Sequence, residues 1–195
     1  LGGMELAGRL AGTVDLKRAG ENRIETAASL TTDGLRYTAG TRRLELAKVL
    51  LTSTGHLDMA ASRLKEVAAQ IRAEVDGRIV ATGTSRSSMA DKTYQSELHV
   101  QQADLAYLGD LLKGLGILDA STGYAGGATL QMKAQRMGAN VPLVSDGVLT
   151  LRNASMNGKS VSARDVTLQW SEAGMIGDGR LRVKTAQLGS SLARL

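Results

Sequence analysis

Apolar residues recur at every second position along most of the chain, and a glycine often opens such a run. The phrase glycine, any residue, apolar, any residue, apolar, basic begins at Gly12, Gly147 and Gly179, and looser copies begin at Gly55, Gly77 and Gly127. Alternation with a period of two places successive side chains on opposite faces of a β-strand. A glycine or Asp-Gly pair is typical of the turn before a strand. The pattern therefore predicts many amphipathic strands.

Ten runs of this kind are predicted to form strands, and the three runs within residues 4–31 form two or three of them. They cover residues 4–10, 12–17, 22–30, 36–38, 43–54, 93–101, 128–136, 148–153, 160–170 and 180–187. The parity of the apolar positions changes near Ala47–Lys48 and again near Arg164–Asp165. Such a change predicts a β-bulge or a strand break at the first place and a β-bulge at the second.

One segment has a clear helical period, and a second fits two structures. Over 104–115, leucines three and four apart form one stripe, Asp104 can cap the start, and glycines can end the helix. Residues 62–75 alternate as a strand but also form a fair helical stripe behind Ser62. We favour a strand because the flanking segments are strands.

The expected fold is mostly β: a long meander of strands joined by loops of varying size, with one short helix near 104–115. Residues 1–195 form a single β-rich segment, and a serine-rich stretch at 84–91 is predicted as a loop. If the segment divides, it divides there into 1–83 and 92–195. Two alternatives stay open, a closed β-sandwich and a β-helix, either of which would serve as a binding or scaffold module.

The amino-acid composition argues against several classes of function. The 195 residues include no Phe, one Trp and four Tyr, so aliphatic residues fill the dry face. The net charge is +5, but the basic residues alternate with apolar ones and the aromatics are scattered, which argues against nucleic acid. The chain has no cysteine and therefore no disulfide or thiolate metal site. No apolar run approaches the ~18 residues of a membrane span.

Known catalytic motifs are missing from the chain. His56 and His99 fall on the polar parity of their strands, and no metal or nucleophile motif is present. Residues 153–160 imitate a phosphate-binding loop, but the first glycine is replaced by Asn153 and a strand pattern follows. A β-turn at Asn157-Gly158 explains this segment better. We therefore expect no enzyme activity, no cofactor and no metal.

Residues 98–188 carry three phrases that resemble one family. They are LHVQQADLAYLGDLLKGLG from Leu98, GGATLQMK from Gly126 and DGVLTLRNASMNGKSV from Asp146, and the N-terminal LAGRLAGTVDL from Leu6 uses the same vocabulary. In this order of strand, short helix and glycine-led strands, the chain resembles the AsmA-like superfamily of Gram-negative envelope proteins, of the AsmA, TamB and YhdP type.

The resemblance implies a fragment of a longer chain that forms a long, curved, open antiparallel meander sheet, shaped like a groove or a taco, with a continuous apolar groove on its concave face. Such a groove would be a lipid conduit, which the alternative β-sandwich or β-helix would lack. It implies the periplasmic portion of an inner-membrane-anchored protein that moves phospholipid between the inner and outer membranes in envelope biogenesis. The partners would be phospholipid or another acyl-chain lipid, and inner- or outer-membrane envelope proteins. The residues expected to line the groove are Val14, Leu16, Leu130, Met132, Leu149, Leu151, Leu168, Trp170, Leu181 and Val183.

Overall fold

The computed structural model describes residues 4–60, 63–160, 165–175 and 181–190, and there the chain forms twelve strands and one helix. The strands are β1 (Met4–Arg18), β2 (Arg23–Ala39), β3 (Arg42–Ala60), β4 (Arg63–Val75), β5 (Ile79–Ser88), β6 (Thr93–Asp104), β7 (Tyr124–Met137), β8 (Val144–Met156), β9 (Lys159–Ser160), β10 (Val166–Met175), β11 (Leu181–Arg182) and β12 (Thr185–Ser190). The helix α1 covers Leu105–Gly114, between β6 and β7.

All twelve strands belong to one sheet, in which each long strand pairs with the next along the chain. The order is β1-β2-β3-β4-β5-β6-β7-β8-β10-β11, with β9 on β8 and β12 on β10. Every pairing is antiparallel, and the sheet does not close into a barrel. The predicted open meander sheet is confirmed. Over the described residues the chain is neither a two-sheet sandwich nor a parallel β-helix.

Over residues 4–31 the sequence predicts two or three strands, and the structure has two, each longer than the runs that make it up. Residues 4–10 and 12–17 form the single strand β1, and residues 36–38 belong to β2. Glycine marked a turn in our prediction, but Gly12 lies inside β1 and faces Leu30 in an unbroken register. A glycine in a strand interior loses side-chain packing yet keeps its backbone hydrogen bonds, so neighbouring strands can retain it.

The loop predicted at 84–91 is wrong over 84–88, which form a strand, while 89–91 lie in a turn. β5 continues to Ser88, and the turn covers 89–92. Serine and threonine occupy both faces of this strand, so the sequence shows no apolar alternation. The pairing is supplied by the neighbours, as where Ser85 faces Ser96.

Two bulge predictions and the ambiguous segment have different outcomes. Arg63–Val75 is the strand β4, so the favoured strand is confirmed, while Ser62 lies outside the described residues. A bulge or strand break is predicted near Ala47–Lys48. There the pairing of β2 with β3 skips Gly34 and Ala47, and the N–H groups of Ala47 and Lys48 bond the carboxylate of Asp76, so the ladder is interrupted although the register on either side is the same. The bulge predicted near Arg164–Asp165 falls on a segment, 161–164, outside the described residues.

The helix is capped at both ends as its sequence predicts. The Asp104 carboxylate accepts hydrogen bonds from the N–H groups of Ala106 (2.9 Å) and Tyr107 (3.2 Å). At the other end Gly116 has φ +71°, and its N–H bonds the carbonyl of Lys113, while the next N–H bonds the carbonyl of Leu112. These two bonds form a Schellman motif. No helix among the described residues is long and apolar enough to cross a membrane.

α1 lies at one end of the strands, in a notch between two longer ones. β3 extends beyond the end of β4, and β7 begins before its first partner in β6. A methyl group on Gly109 would meet the ring of Tyr124 on β7, and one on Gly114 would meet the carbonyl oxygen of Arg43 on β3. The helix therefore bridges β7 and β3 across the ends of the shorter strands between them.

The described residues enclose almost no core. Ala103 and Ala154 are the buried hydrophobic residues, and the larger aliphatic side chains are half-buried or exposed. Backbone pairing and same-face contacts between neighbouring strands hold such a sheet together.

Candidate functional site

The strand register places the apolar side chains on one side of the sheet. Residues directly opposite each other in an antiparallel pair project from the same face. Three adjacent rows across the strands form what we call the apolar face. The first row is Leu10, Thr32, Val49, Val75, Ile79, Ala103, Ala128, Leu151 and Val166; the second is Gly12, Leu30, Leu51, Ala73, Ala81, Val100, Leu130, Leu149, Leu168 and Leu188; the third is Val14, Ala28, Ser53, Ile71, Gly83, Leu98, Met132, Gly147, Trp170 and Ala186.

These rows contain no charged residue. Strands lie ~4.8 Å apart, so the second row, which crosses ten strands, extends about 43 Å. Residues two apart along a strand are separated by ~6.8 Å, so the three rows span about 14 Å. The next row, which begins Leu16, Thr26, Gly55 and Ala69, carries small or apolar side chains and widens the same surface.

Most of the groove-lining candidates share this face. The structure places there Val14, Leu16, Leu130, Met132, Leu149, Leu151, Leu168 and Trp170. Val183 is exposed but lies between β11 and β12, where no register assigns it to a face. The side chain of Leu181 lies outside the described residues.

The middle of the apolar face comes from residues that the candidate set does not include. Leu30, Leu51, Ile71, Ala81 and Val100 connect the N-terminal candidates to the C-terminal ones across β2–β6. The alternation of apolar residues in these strands could have identified them as candidates. Only the register shows that the apolar residues of all these strands lie on the same face of the sheet.

The apolar face is open to solvent, most of all at its N-terminal edge. The exposed fraction is 72% for Val14 and 71% for Leu10, and it is 43% for Ile71 in the middle of the sheet. Contiguous exposed apolar surface of this extent is typical of a binding or interaction surface.

The indole of Trp170 covers one part of the third row. A Cβ on Gly147 would lie 2.2 Å from the Trp170 ring, so the ring lies directly over this glycine. The indole N–H donates to the hydroxyl of Ser145 at 3.3 Å. The glycine thus gives the single large aromatic side chain room to lie flat against the sheet.

The opposite surface, the polar face, carries the charged residues. One of its rows is Asp15, Ala27, Thr54, Gln70, Thr84, Glu97, Lys133 and Asp146. Lys133 and Glu97 form an ion pair at 2.8 Å, which raises the pKa of the lysine. His56 and His99 both lie here, as the sequence predicts.

His56, Asp58 and Glu66 form a cluster whose nitrogen and oxygen atoms lie within 4.8 Å of one another. Each carboxylate is already held by a guanidinium: Arg23 bonds both oxygens of Asp58, at 2.7 and 2.8 Å, and Arg86 bonds both oxygens of Glu66, at 3.0 Å. The hydrogen bond from each arginine is the main cause of the lowered pKa of its partner carboxyl. The donor set is therefore engaged in an ion-pair network of the polar face.

Three clefts lie mainly on the polar face, although one of them includes Met132 and Trp170 of the predicted lining. Clefts of about 770, 630 and 520 Å³ are lined mainly by residues of the polar face, such as Glu97 and Gln70. A smaller cleft of about 390 Å³ lies beside Leu16, Ile24 and Met59. Over the described residues the apolar face is one side of an open sheet.

Comparison of the chain with protein-family models, with curated proteins and with solved structures gave no match. The resemblance to the AsmA-like superfamily therefore stays a prediction from the sequence phrases.

Proposed function

We propose that this chain is a non-enzymatic, lipid-binding segment in which the apolar face carries the acyl chains of phospholipid. The proposal extends the sequence resemblance to a role in lipid transport between the inner and outer membranes, in the periplasmic portion of an AsmA-like protein. The observation that carries it is the apolar face, which crosses ten strands without a charged residue.

The energetics favour an aliphatic ligand. Each methylene removed from water contributes about 0.8 kcal/mol, so an acyl chain laid on this surface gains with every carbon it covers. The face offers few hydrogen-bonding side chains, and those are Thr32, Ser53 and the indole of Trp170, which already bonds Ser145. A ligand with polar groups along its length would lose hydrogen bonds to water on this surface.

The arrangement of the apolar face would also let an acyl chain move along it. The rows run across the strands, so each added strand lengthens the dry surface by ~4.8 Å without changing its width. The polar face keeps the other side of the sheet in contact with water. A sheet of this kind lowers the cost of moving acyl chains through an aqueous space.

A direct test places a photoreactive amino acid on each side of one strand. Ile71 lies on the apolar face in the middle of the sheet, and its neighbour Gln70 is exposed on the polar face. The purified variants are irradiated with vesicles of phosphatidylethanolamine and phosphatidylglycerol, and adducts are identified by mass spectrometry. We expect phospholipid adducts from position 71 and none above background from position 70.

A pair of charge variants supplies the matched control. Ile71→Asp introduces a carboxylate into the third row and should abolish lipid adducts formed from a probe at Leu98, whereas Gln70→Asp should leave them unchanged. Equal labelling from positions 70 and 71, or no adduct from either, contradicts the proposal.

A further inference from the structure

The strand ends opposite α1 expose a group of apolar side chains. Leu64 lies at the start of β4, Met89 in the turn after β5, Met137 at the end of β7, and Val141 and Leu143 in the loop before β8. Their exposed fractions lie between 39% and 58%. Turns are ordinarily built from glycine, proline, asparagine, aspartate and serine. Large apolar residues grouped at turns are therefore typical of an interaction surface.

These side chains lie on neighbouring strands. The N–H of Met89 bonds the carbonyl of Lys65 at 2.9 Å, so the turn after β5 lies against the start of β4. Thr93 pairs with Met137, so the start of β6 lies beside the end of β7. Residues 138–143 join β7 to β8. At ~4.8 Å per strand, the group extends about 19 Å from β4 to β8.

Four cations lie among these apolar residues. Arg63 and Lys65 on β4, Lys92 in the turn before β6 and Arg136 on β7 are exposed, and none of the four forms an ion pair with another described residue. The carboxylate of Asp91 lies beside Lys92 along the chain, and the two carboxylates of the ion-pair network at this end are each matched by an arginine. We call the five apolar residues and these four cations the strand-end patch. Its charge is therefore positive.

We infer that the strand-end patch docks the chain on the surface of a bilayer that contains anionic phospholipid. The apolar side chains enter the boundary between headgroups and acyl chains, and the cations stay at the level of the lipid phosphates. Each lysine or arginine near an anionic surface strengthens binding, and the attraction falls off within one Debye length. Because the apolar side chains and the cations occupy the same strand ends, both contributions act together.

The other end of the strands has a different character. Its turns contain the polar pairs Gly40-Thr41, Asp76-Gly77 and Asn157-Gly158. The helix and the residues after it add the carboxylates of Asp110 and Asp119. An anionic bilayer attracts this end less than the patch, so docking orients the sheet with α1 away from the membrane.

Docking would also bring the apolar face to the bilayer. A further row of that face, Ile24, Leu57, Val67, Ser87 and Tyr94, lies at the strand ends beside the patch. An acyl chain leaving the bilayer at the patch would reach the apolar face over β2–β6 without crossing a charged residue. The docking itself does not rest on the proposed function, because it uses only the patch.

A fluorophore on a single introduced cysteine tests the docking, because the chain has no cysteine of its own. In the full chain, Val141→Cys places an environment-sensitive label in the patch. Ile117→Cys places the same label beside α1, at an apolar position that is 65% exposed. We expect vesicles of phosphatidylcholine and phosphatidylglycerol to shift the emission at position 141 to shorter wavelength, with quenching by brominated acyl chains. The label at position 117 should be unchanged, and vesicles of phosphatidylcholine alone should give a weaker response at position 141.

Substitutions test the two contributions separately. Lys92→Gln combined with Arg136→Gln should weaken binding to the anionic vesicles about 25-fold at low ionic strength, or about fivefold for each charge. Val141→Asp should weaken it at least about tenfold, because the anionic surface repels a carboxylate at the loop tip. Ile117→Asp is the matched control and should leave binding unchanged. Vesicle co-sedimentation measures binding, and circular dichroism verifies that each variant is folded.

Ile71→Asp separates the docking from the proposed function. It alters the apolar face and not the patch, so it should abolish lipid adducts and leave vesicle binding unchanged. If the parent chain binds vesicles but gives no lipid adduct from position 71, the proposed function fails and the docking stands.

Three results would overturn the inference. The parent chain could fail to bind vesicles that contain phosphatidylglycerol. The labels at positions 117 and 141 could respond equally. Ile71→Asp could lose vesicle binding while Val141→Asp keeps it, which would mean that the apolar face itself contacts the bilayer.

Discussion

Thr32 is the polar exception in the first row of the apolar face. It is only 6% exposed, and its hydroxyl has no hydrogen-bond partner in the structure. Its facing neighbours are Leu10 and Val49. An unpaired buried hydroxyl costs free energy that an isosteric methyl group does not.

We therefore expect Thr32→Val to stabilise the fold by about 1 kcal/mol. Urea denaturation monitored by circular dichroism measures the change. Thr31→Val, on the polar face of the same strand, is the matched control and should change stability little. A loss of stability in Thr32→Val would show that the hydroxyl has a partner in solution.

Asp76 joins three parts of the fold through one carboxylate. It accepts hydrogen bonds from the N–H groups of Ala47 and Lys48 and from the hydroxyl of Tyr107 at 2.5 Å. Burial works against the charged form, but these hydrogen bonds and the positive charge of Arg78 outweigh it, so the pKa of Asp76 is lowered from its ordinary 3.8. Burial and the Asp76 carboxylate raise the pKa of the Tyr107 hydroxyl.

Asp76→Asn should destabilise the chain by about 1–2 kcal/mol at neutral pH, because an amide presents donors where the carboxylate accepts. A lowered pKa in the folded state stabilises the fold above the ordinary pKa, and this contribution is lost as pH falls through the folded value. The stability difference between the two proteins should thus be full above about pH 4 and shrink below it, in urea titrations at several pH values. A pH-independent difference would contradict this account.

α1 depends on close contact with the projecting strands more than on its intrinsic helix propensity. Within an exposed helix, Gly→Ala stabilises by about 1 kcal/mol. At Gly114, however, the added methyl carbon would lie 2.0 Å from the carbonyl oxygen of Arg43. A carbonyl of β3 cannot move away without disturbing the strand.

Gly114→Ala should therefore destabilise the fold by about 1–3 kcal/mol, opposite in sign to the propensity effect. Gly189→Ala, where nothing lies within 4 Å of the added carbon, should be neutral or slightly stabilising. Thermal unfolding of the two variants beside the parent chain tests the sign. A gain of stability at Gly114 would mean that the helix does not dock on β3.

In the folded molecule the apolar face is exposed to solvent. A closed domain of 195 residues would unfold with a heat-capacity change of about 2.3–2.9 kcal/mol/K. Because the apolar face is open and little is fully buried, we expect a value clearly below this range by scanning calorimetry. A value within the range would indicate that something covers the apolar face in solution. Added phospholipid that binds the folded chain should raise the unfolding temperature.

The elements that could be predicted from the sequence are those specified by residues close together along the chain. Alternation predicted most strands, and the Asp104 cap and Gly116 predicted α1, because a strand face and a helix end are set by residues a few positions apart. Residues 84–91 lacked that alternation, and their strand is specified by pairing with β4 and β6.

The sequence by itself determined that the chain is an amphipathic meander with a dry aliphatic face and a capped helix. Only the tertiary structure decided which strands align their apolar residues into common rows, and that these rows lie on one side of an open sheet. The hydrogen bonds of the Asp76 carboxylate and the position of the Trp170 ring over Gly147 were also decided by the tertiary structure. These residues contact others that lie up to tens of positions away along the chain. A local sequence pattern does not specify which strand positions pair.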